Sequence, residues 1–65
     1  SPTQNIWQIN SSKIISSANI YDLQGRLVIS DTPNSKSVQL NSQKLSTGIY
    51  IGVLNKRFII RLIKK

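Results

Sequence analysis

Sixty-five residues make one small domain, and the absence of Cys and His leaves neither a disulfide nor a structural zinc to brace it. Nine Lys and Arg stand against Asp22 and Asp31 with no Glu, a formal charge of +7 that suits anionic partners such as nucleic acid, lipopolysaccharide or acidic protein. A chain this short buries only about 60% of the surface its unfolded form exposes, so the core must be thin.

No apolar run approaches the roughly 18 residues of a membrane-spanning helix. The abrupt start at Ser1-Pro2-Thr3 gives the expectation that residues 1–65 are a piece of a longer polypeptide. Ile6-Trp7-Gln8-Ile9 is a short strand, introduced by a turn at Pro2 and closed by the polar group Asn10-Ser11-Ser12. Trp7 and Ile9 fall on one of its faces. Ile14-Ile15 begins another strand or anchors a loop.

Ile20 to Ile29 holds the clearest local signal, two apolar runs around Asp22-Leu23-Gln24-Gly25. The Asp carboxylate accepts from a backbone N–H two residues on, and Gly takes φ > 0 without a Cβ clash. A hairpin follows, with strands near residues 17–21 and 26–30. Asp31 to Ser35 is a turn cluster in which Pro33 cannot donate to a sheet. Ser37 to Leu40 alternates with the period of a half-buried strand. Leu45 is expected to plug the core from a loop.

Gly48 opens the strongest strand, with Ile49, Ile51 and Val53 on one face and Tyr50, Gly52 and Leu54 on the other. Gly52 implies a close approach or a bulge. The Tyr50 hydroxyl is expected at the surface. Asn55-Lys56 suits a two-residue hairpin, although Lys56 is a costly residue for φ > 0. The last strand, Arg57 to Ile63, carries Phe58, Ile60 and Leu62 on one face and Ile59, Arg61 and Ile63 on the other. A strand apolar on both faces is buried twice or awaits a partner. Its β-branched residues and the turn before it favour strand over helix. The whole is all-β: a small antiparallel β-sandwich of six or seven short strands.

Catalysis near neutral pH is not expected. The chain lacks His, Cys and Glu, and its two Asp lie at turns. No catalytic, cofactor-binding or metal site is expected; Asp22 and Asp31 would at most make a weak calcium site. Single-stranded nucleic acid calls for aromatic platforms in a basic groove, and Trp7, Tyr21, Tyr50 and Phe58 show no such spacing. An accessory carbohydrate-binding module would need an exposed aromatic platform, for which Trp7 is the candidate.

The combination IYDLQGRLV, LSTGIYI and LIKK resembles the C-terminal sorting domain of the type IX secretion system, carried by proteins exported from Bacteroidetes-type bacteria. The shared elements are Tyr21-Asp22, Gly25-Arg26, Leu45-Ser46-Thr47-Gly48-Ile49-Tyr50 and Lys64-Lys65. Ser1-Pro2-Thr3 stands where the family has a Pro-Asn-Pro segment, and Asn55-Lys56 where Asn-Gly is frequent. The resemblance implies a seven-stranded immunoglobulin-like sandwich that is an export signal rather than an enzyme. Its implied partners are an N-terminal cargo of the same precursor, the outer-membrane translocon, a sortase-like peptidase that removes the domain, and anionic lipopolysaccharide. The implied route crosses the periplasm and ends at the cell surface or in the medium. Asp22, Gly25, Arg26, Leu45, Gly48 and Tyr50 are then fold-makers. Recognition is expected at the C-terminal end, through Arg61, Ile63, Lys64 and Lys65, with the last strand adding to a receptor sheet.

Overall fold

The computed structural model describes residues 6–65, so the expected turn at Pro2 and the Ser1-Pro2-Thr3 segment lie outside the described residues. Six strands form: β1 (Ile6–Ile15), β2 (Ala18–Tyr21), β3 (Leu27–Asp31), β4 (Ser35–Asn41), β5 (Gly48–Leu54) and β6 (Phe58–Lys64). Among the described residues no helix interrupts them. They divide into a small sheet, β1-β4, and a large sheet ordered β3-β2-β5-β6, with every pairing antiparallel. The shortest extent of the molecule is 15 Å, room for two sheets packed about 10 Å apart and no third layer. The expected small antiparallel, immunoglobulin-like sandwich is the architecture found.

The boundaries differ from the expectation chiefly at three places. β1 does not close at Asn10 but runs on to Ile15, because its pairing with β4 continues through Asn10↔Ser37 and resumes after a register shift at Ile15↔Ser35. β4 begins earlier than expected, at Ser35, which shortens the turn cluster before it. At the last hairpin the register pairs Leu54 with Phe58, so Asn55, Lys56 and Arg57 all stand outside the ladder. That connection holds three residues rather than two, and β6 starts one residue late and includes Lys64.

The inner faces meet in one apolar cluster. Ile9 and Ile15 come from β1, Val38 and Leu40 from β4, Ala18 and Ile20 from β2, and Tyr50 and Leu54 from β5. Leu45 packs against this cluster from its loop, as expected, beside half-buried Trp7, Val28, Ile29, Ile60 and Leu62. The inner face of β5 is thus the one carrying Tyr50, Gly52 and Leu54. Its opposite face of Ile49, Ile51 and Val53 points away from the small sheet.

Gly52 explains why this face goes inward. Its neighbours across the sheet are Ile20 on β2 and Ile60 on β6. A Cβ added there would lie 2.9 Å from Ile60 Cγ1 and 3.1 Å from Ile20 Cδ1, so the two isoleucines already fill the space a side chain would take. Register runs unbroken through Gly52 on both sides, which makes it a close approach and not a bulge. Gly52→Val should therefore destabilise the domain by about 1–3 kcal/mol in urea unfolding, the usual penalty of overpacking.

The turn after β5 carries the opposite kind of constraint. Asn55 and Lys56 both have positive φ, at 55° and 56°. Asn tolerates that region and Lys does not, so Lys56 carries a backbone cost of about 1 kcal/mol. Lys56→Gly should raise the unfolding midpoint, and an unchanged or lower midpoint would show that the strain is relieved elsewhere.

Candidate functional site

The first hairpin is built as its sequence implies. Gly25 N–H donates to the Asp22 carbonyl at 3.0 Å, Gly25 has φ 85°, and the strands re-pair across a bulge, Ile20↔Ile29 and Tyr21↔Leu27. One Asp22 oxygen accepts from the backbone N–H groups of Gln24 and Arg26, each at 2.9 Å. The other takes the Arg26 Nε–H at 2.9 Å. The backbone bond from Arg26 is the main cause holding the Asp22 carboxyl below its usual range; partial desolvation opposes it, while the Arg26 side chain and the Gln24 N–H reinforce it. Asp22, Gly25 and Arg26 thus form a structural unit whose hydrogen bonds close on the turn itself.

The hairpin of β5 and β6 is tied to the connection between β1 and β2 by Asn55. Its Oδ1 accepts from Ser16 N–H at 2.7 Å, Ser16 Oγ–H at 2.9 Å and Ser17 N–H at 3.3 Å. Its Nδ2–H donates to the Ile14 carbonyl at 3.1 Å, and its own N–H to that of Ser17 at 2.9 Å. One side chain therefore satisfies the backbone where the chain leaves the small sheet and enters the large one. Nothing in the local sequence around Asn55 points to partners so far away.

A third tie lies at the other end. Trp7 packs against Tyr50 with ring centroids 5.6 Å apart, and its Nε1–H donates to the Ile63 carbonyl at 3.0 Å. Tyr50 is 7% exposed, and its hydroxyl donates to the Ser46 carbonyl at 2.7 Å. The hydroxyl is therefore committed to the β4–β5 loop rather than reaching the surface. Trp7 is likewise turned inward, so it supplies no platform for a sugar ring. Gly48 has φ 154° and nothing within 4 Å of where a Cβ would sit, so backbone conformation rather than crowding selects glycine there.

The expected recognition residues separate into two sets. Ile63 is 55% exposed, and Arg61 and Lys65 are exposed with it. Lys64 is 7% exposed, on the inner side of β6 opposite Gly48, where it closes the end of the sandwich. A terminal lysine looks solvated in sequence; an odd-even strand register turns this one inward.

A groove of about 350 Å³ opens between β1 and the last hairpin, lined by Ile9, Ile15, Leu54, Phe58 and Ile60, with Asn10 to Lys13 and Asn55 on its rim. Lys13 is the one titratable group in that lining, so the groove holds no acid–base pair or nucleophile with a base. Among the described residues no group of three His, Cys, Asp or Glu converges to hold a metal ion.

A family model described as the secretion system C-terminal sorting domain matches residues 1–65, the whole chain. The chain belongs to that family. No curated protein and no solved structure matches it. The family is the type IX sorting signal, a non-catalytic one, and it implies export across the outer membrane to the cell surface or the medium on an attached cargo. For the sorting domain, the geometry above means that most motif residues shape and lock the sandwich. Arg61, Ile63 and Lys65 lie exposed among the surface residues of β6 and its end.

The sign of the Asp22 effect follows from its lowered value. Its charged form stabilises the hairpin fully above about pH 4, and that contribution is lost as the pH falls through the depressed native value. Thermal unfolding should show a drop below about pH 4 that shrinks in Asp22→Asn, which keeps an acceptor oxygen but no charge. An equal acid drop in both proteins would assign the effect elsewhere.

Proposed function

We propose that this sorting domain is the C-terminal address of a longer exported polypeptide, guided through the type IX outer-membrane translocon after periplasmic transit. A sortase-like peptidase then removes it, and anionic lipopolysaccharide is the acceptor to which the cargo is joined. The observation that carries the reading is the family match over the full chain, on a sandwich whose functional groups are used for structure. Recognition lies on β6, through Arg61, Ile63 and Lys65, with Lys64 acting inside the fold. The charge of +7 adds attraction to an anionic receptor surface.

The test is a fluorescent reporter carrying an N-terminal secretion signal and this chain at its C-terminus, expressed in a bacterium with an active type IX system. The expected result is reporter at the surface or in the medium, with the domain cleaved away by mass spectrometry. Reporter retained in the periplasm, as in a strain lacking the translocon, would contradict the proposal. Export with the domain still attached would remove the peptidase step alone.

A further inference from the structure

The outer face of the large sheet departs from what a solvent-facing antiparallel sheet normally shows, which is polar residues alternating outward. Ile49, Ile51 and Val53 of β5 stand beside Ile63, Arg61 and Ile59 of β6, as cross-strand pairs Ile49↔Ile63, Ile51↔Arg61 and Val53↔Ile59. Ile59 is 73% exposed, Ile63 55% and Ile49 41%. Tyr21 extends the row through its pairing with Ile51, and Leu27, 54% exposed, through its pairing with Tyr21. An apolar patch continuous over four strands is the mark of a surface that is covered in use.

The edge of β6 offers less than its face. Trp7 bonds the Ile63 carbonyl from outside the β5–β6 ladder, so the backbone groups of Ile59, Arg61 and Ile63 point to the open edge. At Ile63 that edge is already capped by the indole. A receptor strand added along β6 has to displace this bond, whereas a partner on the outer face displaces nothing.

The charge on the face selects the partner. Arg61 is exposed, has isoleucine before and after it on its face and isoleucine across from it, and among the described residues the one salt bridge is Arg26 with Asp22. A second copy of the chain meets it with another arginine and another +7, and is repelled. A lipid surface has to bury the guanidinium in the middle of the apolar patch rather than at its rim. A protein surface with apolar residues around one carboxylate satisfies both features, because a guanidinium takes a carboxylate through two parallel hydrogen bonds.

We propose that Ile49, Ile51, Val53, Ile59, Arg61 and Ile63 form a docking face for an apolar protein surface bearing a carboxylate opposite Arg61. This deepens the sorting reading and rests on it: the signal is the face of the last hairpin rather than its edge, with Lys65 adding charge beside that face.

The reporter fusion provides the test, with Arg61→Glu, Arg61→Lys, Ile59→Thr and Ile63→Thr in the full chain, and Lys36→Glu on β4 as a charge-matched control. Thermal unfolding of each domain checks that folding is kept. Export should fall at least tenfold in Arg61→Glu and severalfold in Arg61→Lys and the two threonine variants, because a lysine cannot make the paired hydrogen bonds, and stay near normal in Lys36→Glu. Normal export of Arg61→Glu beside an exported parent overturns the docking face and leaves the sorting reading standing. A parent that is not exported overturns both. An equal loss in Lys36→Glu overturns the face in favour of overall charge. The purified domain should remain a monomer in sedimentation and should not float with phosphatidylglycerol vesicles. A dimer, or vesicle binding that Ile59→Thr abolishes, would replace the proposed protein partner by a second copy or a lipid surface.

Discussion

The bond from Trp7 to the Ile63 carbonyl decides which side of the C-terminal strand the domain shows. The small sheet has only two strands with which to cover a large sheet of four, so β6 lies at the margin of the covered area. Without a tie there, a terminal strand with apolar residues on both sides has two nearly equivalent ways to turn. The indole removes the choice: its ring buries Tyr50, its N–H fixes the end of β6, and Ile60, Leu62 and Lys64 are held inward. Ile59, Arg61 and Ile63 are then displayed.

Asn55 does the corresponding work at the far end of the same hairpin. It holds the β5–β6 turn against Ser16 and Ser17, where the chain crosses between sheets. The last hairpin is thus anchored at both ends to the beginning of the chain, and long-range hydrogen bonds supplement a thin core. A domain with no cysteine for a disulfide and no histidine gains rigidity in its C-terminal strand by these two ties. Rigidity matters for a recognition surface, since a strand that is already ordered loses less conformational entropy on binding.

What was legible in the sequence was local. Asp22 and Gly25 specify their hairpin because every partner of the turn lies within four residues, and the structure contains that turn as expected. Gly48 and Leu45 behaved similarly. Gly52 signalled a close approach, but which face of β5 turns inward was not readable, since both faces of β5 and β6 are apolar; the meeting of Ile20 and Ile60 over Gly52 and the Trp7 bond to β6 settle it together. The full length of β1 was hidden because its polar half is held by pairing with distant β4 rather than by its own pattern. The ties from Asn55 and Trp7 reach partners about 40 and 56 residues away, and the inward turn of Lys64 depends on a register set elsewhere. The apolar character of both sides of β6 was legible, and the fold leaves one of them, with Ile59, Arg61 and Ile63, exposed. Which of the four expected recognition residues reach solvent required the structure.

Amide hydrogen exchange along β6 tests this account most directly. If β6 is a docked edge strand with its outer face displayed, the N–H groups of Ile60, Leu62 and Lys64 exchange slowly, at rates set by global unfolding, while those of Ile59, Arg61 and Ile63 exchange quickly. Rapid exchange throughout β6 would mean the strand is frayed and displays no ordered face. Slow exchange at Ile59 and Arg61 in the monomer would mean the edge is already paired, contradicting the arrangement on which the displayed face depends.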